Sequence, residues 1–544
     1  MPTLDPSGPT SASAPSVPLR RGGGLAGLER AVGRFVVRRY RWCVLLVLAV
    51  MAVNVFLRLS STSISNSDEA RYGVSAYEML QNRSFLVTTY ARQPEYWNLK
   101  PPLGYWLIAL SYRLFGYTSF ALRLPSALFG LLVVAGTMAF AKRWGNRRLA
   151  VLSGLIVATA FGFLSSHGAR SGDLDSALSF LLLLAAMQLP RLGRSPHARW
   201  PLLAFAAILA GAFLLKSFAI LPMVAVAVAW AVWSGAWRRV KAIDLLLSVL
   251  LFATLVAGWA IARWRADGTA YFLVRMLHED LFLRSTRIID KTTYSPFGYL
   301  TALFDRFAPW PAVMVLAGWM ALTWPDWRPS ALSRRLRRGV LPLLLLWVLV
   351  PLILFSLSRT QHHWYLHPIY PACAMLAAFS VLTLMRLPRA AVRRSAALVA
   401  LVVLPLALCQ ARITYRVVAR ERVTREQRFL TRLRHERRFG RELVAGFPLQ
   451  HSERFLLEVV DGFDVRDVAD GPPTPGISPA EGDVVLGKTA PGVAAAWRTP
   501  SPGERFVEGD GSYALYRAVG RGALHLPLPM PPRLGGLAPK RPRG

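Results

Sequence analysis

Eleven stretches of this 544-residue sequence are long and apolar enough to cross a bilayer, which takes about 20 residues of helix. They fall near residues 42–59, 122–141, 149–168, 174–189, 200–216, 217–233, 243–262, 308–324, 340–357, 368–385 and 395–411. In lipid each must pair its own backbone polar groups, so helices are the expected form. The short connectors carry the basic charge. One holds Lys142, Arg143, Arg147 and Arg148, and another Arg238, Arg239 and Lys241. A third holds Arg328, Arg334, Arg335, Arg337 and Arg338, and a fourth Arg386, Arg389, Arg393 and Arg394. Such connectors stay in the cytoplasm, and all four land on one side when the spans are counted in order. Arg30, Arg34, Arg38, Arg39 and Arg41 precede the first span and put the N-terminus on that side too. Residues 174–235 have room for broken helices, so eleven to thirteen spans are expected.

The chain is 53% hydrophobic and 17% charged, with a formal net charge of +35. A soluble nucleic-acid binder would share the charge but not the apolar runs. The basic excess is therefore topological, and no nucleic-acid partner is implied. Cys43, Cys373 and Cys409 lie in or beside apolar runs, without the spacing of a zinc site or a disulfide framework. Residues 1–39 are Pro/Ser/Gly-rich, then Arg-rich, with no signal-peptide pattern. They are expected to form a basic disordered cytoplasmic tail. Residues 40–411 form the transmembrane domain. Residues 412–520 should make a small extracytoplasmic α/β domain, opening with a helix over the basic stretch Arg412–Arg441. Strand-like runs follow at Phe455–Val460, Asp483–Leu486 and Ser512–Tyr516. The Pro/Arg/Gly-rich residues 521–544 should be disordered. The fold class is thus a polytopic α-helical membrane protein with a C-terminal α/β domain.

Polar groups on the expected outer face carry the chemistry, because charges near membrane depth are costly and usually serve a purpose. Asp68 and Glu69 follow the first span; adjacent carboxylates can take a proton from an acceptor or hold a divalent cation, and Ser67 or Asp68 can equally cap a helix. Arg71 and Tyr72 stand beside them. Trp97-Asn98-Leu99-Lys100-Pro101-Pro102 fixes a lysine on non-helical backbone, where its ammonium suits a phosphate oxygen or the lipid headgroups. Asp173 and Asp175, after Arg170, form a second carboxylate pair. The loop 263–298 holds His278, Glu279, Asp280, Arg284 and Arg287, which combine metal-ligating groups with phosphate-gripping ones. Arg359, His362, His363, Trp364, Tyr365 and His367 cluster at another outer turn, where an aromatic belt accounts for the rings but not for the arginine and histidines.

The ordered set Asp68-Glu69-Ala70-Arg71-Tyr72, Lys100-Pro101-Pro102-Leu103-Gly104-Tyr105-Trp106, an Arg/Asp turn and Trp364-Tyr365-Leu366-His367-Pro368-Ile369-Tyr370-Pro371 resembles the GT-C glycosyltransferases. Within them it is similar to the aminoarabinose transferases of lipid A and the protein mannosyltransferase-like enzymes, over about residues 40–410. The resemblance implies an inverting transfer from a polyprenyl-phosphate (undecaprenyl-phosphate) sugar, with Asp68 as catalytic aspartate. It matches Arg71 and Tyr72 to polar residues of the same motif, Lys100 to the lysine on the carrier phosphate and Tyr365 to a tyrosine near it. Asp175 matches the second family aspartate, with Asp173 as a nearby competitor. His278 corresponds to the family's metal histidine. In aminoarabinose transferases a glutamate before the lysine helps hold that metal, whereas this chain has Leu99.

The expected function is therefore a glycosyltransferase of the bacterial inner membrane, with a lipid, glycan or protein acceptor on the outer face. Asp68 would be the base, assisted by Glu69, Asp173 and Asp175. Arg71, Tyr72, Trp97, Lys100, Arg284, Arg359, His362 and Tyr365 would bind substrate, and His278 would hold a divalent metal. A flippase for a lipid-linked sugar would use the same cations without chemistry. It would show mid-membrane charges and paired repeats; Lys216 is the main charge of that kind, and no repeat is visible.

Overall fold

The computed structural model describes residues 27–96, 99–193, 198–283, 286–287, 294–323, 331–337, 339–386, 391–420, 422–433, 442–445, 449–467, 484–488, 504–509 and 513–518. Among these, six helices are long and apolar enough to cross a membrane: Ser119–Trp144, Asp175–Leu192, Arg199–Ser234, Ala242–Asp267, His363–Leu384 and Arg393–Tyr415. Gly298–Arg306 and Trp310–Thr323 add a seventh if the pair, bent by 105°, counts as one span. Tyr40–Phe56 and Leu341–Leu357 are apolar but shorter. Fewer helices than the expected eleven to thirteen reach that length, because several of the expected runs are short or broken. The runs 200–216 and 217–233 are continuous in helical backbone but double back at Lys216-Ser217, since Lys216 meets Asp175 at one end of the helix Asp175–Leu192 and Trp230 meets Leu189 near its other end. The run at 149–168 is helical only over Arg147–Ala158 and Phe161–Leu164.

The first helices are α1 (Leu28–Arg38), α2 (Tyr40–Phe56), α3 (Asp68–Gln81), α4 (Leu103–Phe115), α5 (Ser119–Trp144) and α6 (Arg147–Ala158). Helix α1 corrects the expectation of a disordered tail through residue 39. Its Glu29 faces Arg148 at 3.7 Å, and Arg147 Nη1 donates to the Val37 carbonyl at 2.6 Å. The packed centre combines α2, α5, α6, Asp175–Leu192 and Tyr370–Leu384. Small residues let these helices approach closely, as is usual between membrane helices. A Cβ at Gly130 would lie 2.9 Å from Met51, and one at Gly154 would lie 2.6 Å from Met138. The span His363–Leu384 is 78% buried and central, whereas Ala242–Asp267 is only 11% buried and turns Leu245, Leu246, Val249 and Leu250 outward.

Helices α3 and α4 pack together across one end of this bundle, and α3 also packs onto the terminal domain. Between α3 and α4 the chain makes a short antiparallel pair, β1 (Thr89–Tyr90) and β2 (Gln93–Pro94). The terminal domain holds a five-stranded sheet in the order β4-β3-β5-β7-β6, with β3 (Glu442–Ala445), β4 (Asp464–Asp467), β5 (Val484–Lys488), β6 (Glu504–Gly509) and β7 (Tyr513–Ala518). Strand β3 runs parallel to β4 and β5, while β7 is antiparallel to β5 and β6. The expected strands at 483–486 and 512–516 are β5 and β7. Phe455–Val460 is helical instead; Phe455 and Leu457 are fully buried, and the turn packs against α3. The basic stretch after the last span is helical over Arg425–Leu430, capped by Thr424.

Candidate functional site

A cavity of about 540 Å³ opens where the start of α3, the loop before α4, the turn after α6, the interruption at Lys216-Ser217 and the His363–Ile369 turn converge. Asp68, Arg71, Lys100, His167, Asp175, Lys216, Asp280, His362, Trp364, Tyr365 and His451 all line it.

Each polar wall has a local cause. Helix α3 starts at Asp68 with Ser67 in the capping position, but the Ser67 side chain makes no capping bond. Two carboxylates in the first turn suit the positive end of the helix dipole. Glu69 is 1% exposed and bonds in three directions: Arg123 Nε donates to it at 2.7 Å, Gly172 N at 2.9 Å and Ser65 N at 2.8 Å. It thereby ties the start of α3 to α5 and to the 165–174 turn. Arg123 also donates to the Leu59, Thr62 and Ser63 carbonyls, so the chain leaving the first span is fixed as well. A buried carboxylate left without such partners would cost several kcal/mol.

The 165–174 turn brings up His167, whose φ of 59° is a conformation histidine tolerates better than most residues. Its Nδ1 lies 3.1 Å from Asp173 Oδ1. The imidazole stacks on Trp364 at 3.9 Å between ring centres, and His362 stacks there at 4.2 Å. Asp68, His167 and Asp173 offer ligand atoms within 4.8 Å of one another. One imidazole and two carboxylates are a donor set that suits a divalent cation.

Two lysines, Lys100 buried and Lys216 nearly so, line the cavity beside the helix interruption. Lys216 Nζ donates to both oxygens of Asp175 at 2.7 Å. Lys100 Nζ donates to both oxygens of Asp280, at 2.9 and 2.8 Å, and Ser217 Oγ donates to the same carboxylate at 2.8 Å. Ser217 has φ 44° and ψ −126°, a strained backbone for a non-glycine residue. That break turns the lysine of a membrane helix into the cavity.

The residues 99–261 match the family model described as dolichyl-phosphate-mannose-protein mannosyltransferase. The undecaprenyl phosphate-alpha-4-amino-4-deoxy-L-arabinose arabinosyl transferase of Pseudomonas aeruginosa (strain LESB58) is 29% identical over 363 residues, covering 64% of this chain and 61% of that protein. The transferase of the same name from Erwinia tasmaniensis is 30% identical over 62% of this chain and 59% of its own length. The chain thus matches about three-fifths of the curated relatives' length. The crystal structure of ArnT from Cupriavidus metallidurans bound to undecaprenyl phosphate superimposes with a TM-score of 0.63 at 19% identity, over 87% of this chain and 97% of that one. At that identity the likeness is one of fold. This chain is similar to the aminoarabinose transferases and has the GT-C fold. It is a multi-pass protein of the bacterial inner membrane.

Of the residues singled out from sequence, Asp68, Arg71, Lys100, Asp175, His362 and Tyr365 line the GT-C cavity, and Asp173 sits directly behind Asp68. Tyr72 is buried beneath α3, edge-on to Tyr105 at 5.6 Å. Glu69 is a tether in the protein interior and does not line the cavity. Arg359 points away, over the Tyr294 ring at 5.0 Å. His278 is exposed and stacked on Phe282, so it is not in the group that could hold a cation. Trp97 and Arg284 lie outside the described residues. Sequence reasoning missed His167 and His451. The first sits six residues before Asp173 with no helical or strand register to relate them, and the second belongs to a different domain. Lys216 did carry a signal, as a lone charge within an apolar run.

Proposed function

We propose that this chain transfers a sugar from a polyprenyl-phosphate carrier to an envelope acceptor on the outer face of the membrane, with Asp68 as the base. The observation that supports it most is the convergence, in one cavity, of a carboxylate at a helix start with two lysines from distant parts of the chain. Asp68 takes the proton of the acceptor hydroxyl or amine. The acceptor atom then bonds to the anomeric carbon from the face opposite the carrier. The bond from that carbon to the phosphate oxygen breaks, and its electron pair leaves with the polyprenyl phosphate. Lys100 and Lys216 offset the charge that builds on the leaving phosphate, and Tyr365 lines the wall beside it. The names of the curated relatives support an undecaprenyl-phosphate aminoarabinose donor.

Asp68, His167 and Asp173 would hold a divalent cation, whose contribution is to neutralise the carboxylates and orient the acceptor. Metal analysis of the purified protein is expected to find a divalent ion in the wild type that is lost in Asp173→Asn; equal content in both removes this assignment.

Purified protein in lipid, given labelled undecaprenyl-phosphate aminoarabinose and an envelope-lipid extract, is expected to transfer label. Asp68→Asn should lower turnover by roughly 10²–10⁴, the usual worth of a general base, with unchanged thermal stability. Normal turnover by that variant would take the base role from Asp68. Movement of the labelled carrier across the bilayer without transfer would favour the flippase.

A further inference from the structure

The terminal domain is clamped to the helix that starts at Asp68. Phe455 lies under Gly73, where a Cβ would come within 2.6 Å of its ring. Gln427 exchanges two bonds with the Ile64 backbone, at 2.9 and 2.8 Å. Ser452 N donates to Asn66 Oδ1 at 3.3 Å. The clamp brings one side chain of that domain, His451, into the cavity wall beside Asp68 and Arg71.

His451 is held on both ring nitrogens. Its Nδ1 lies 2.6 Å from Tyr90 Oη, and Arg71 Nη1 donates to its Nε2 at 3.4 Å. An arginine only donates, so Nε2 is the accepting nitrogen and Nδ1 carries the hydrogen toward Tyr90. Burial first, and the Arg71 charge second, pull its pKa down to about 4, so the ring is neutral at physiological pH. The Arg71 guanidinium also lies over the Tyr90 ring at 4.7 Å and is ion-paired with Glu95. Arg71 stands three residues after Asp68, on the same face of α3, whereas Lys100 and Lys216 are anchored by separate carboxylates.

We propose that the terminal domain completes the acceptor side of the site through His451, a positioning residue that fixes Arg71 beside Asp68. This rests on the transfer reading above. The carrier phosphate engages the lysines, so loss of His451 disturbs acceptor use and leaves carrier binding alone.

The test compares His451→Ala and His451→Gln in the full-length protein in lipid. The glutamine can accept from Arg71 and still reach Tyr90, so it serves as the rescue. Three readouts are taken: turnover of undecaprenyl-phosphate aminoarabinose, affinity for undecaprenyl phosphate, and the rate at which phenylglyoxal modifies Arg71, located by mass spectrometry. His451→Ala is expected to lower turnover roughly tenfold or more, the scale of losing a bond to a charged group. It should speed Arg71 modification and leave undecaprenyl-phosphate affinity unchanged, and the glutamine should restore the first two. If His451→Ala turns over and reacts like wild type, the inference fails. It fails equally if carrier affinity and melting temperature drop together in both variants, which marks a structural role alone. If the wild type transfers nothing, the transfer reading falls, and the Arg71 modification rates still decide whether His451 holds Arg71.

Discussion

At the scale of single residues, the site is built from charges that already have partners. Lys100 is 6% exposed and its ammonium is held by Asp280. Removing one partner of such a pair costs about 3–5 kcal/mol, because the other charge stays buried. Asp280→Asn is therefore expected to destabilise the protein by about that amount. Undecaprenyl phosphate should raise its melting temperature more than it does for the wild type, since the phosphate replaces the lost countercharge. A ligand-induced shift no larger than that of the wild type would place the carrier phosphate away from Lys100. Glu69 teaches the complementary lesson. Adjacent to Asp68 in sequence, it is buried in the interior and not in the cavity wall, and its work is to hold three segments together.

At the scale of elements, the contact between the terminal domain and α3 carries a titration of its own. Glu458 is 4% exposed, and burial pushes its pKa up to about 7 from 4.5, against the lowering effect of Arg454 at 2.7 Å. A carboxyl whose pKa rises on folding favours the folded state when protonated. Its contribution is fully present below pH 4.5 and is lost as the pH climbs through about 7. Protection of the backbone of residues 451–460 from hydrogen exchange should fall across that window in the wild type and stay flat in Glu458→Gln. An identical slope in both would assign the effect to another group. The helix interruption at Lys216-Ser217 belongs to the same scale: a continuous helix would leave Lys216 in the bundle, and the break turns it toward Asp175.

For the whole molecule, the site exists only if stretches far apart in sequence reach one side of the membrane. Cysteines placed at 68, 100 and 365 in a cysteine-free background should all react with a membrane-impermeant reagent from outside the cytoplasm. Cysteines in the basic connector 142–148 should react only after permeabilisation. Labelling of 68 and 365 from opposite sides would end the transfer reading.

The sequence by itself determined the class of fold, because long apolar runs permit little but membrane helices, and the basic connectors order them. It also exposed the short polar motifs around Asp68, Lys100, Asp175 and Tyr365, since charge beside a membrane run is conspicuous. Tertiary structure alone decided which neighbour in each motif faces the cavity: Asp68 and not Glu69, Asp280 and not His278. That choice depends on helix phase and on partners such as Arg123, more than 50 residues away. It alone also joined His167, Lys216 and His451 to the site, for neither a turn of positive φ, a broken span nor a docked second domain leaves a periodic trace in the order of residues.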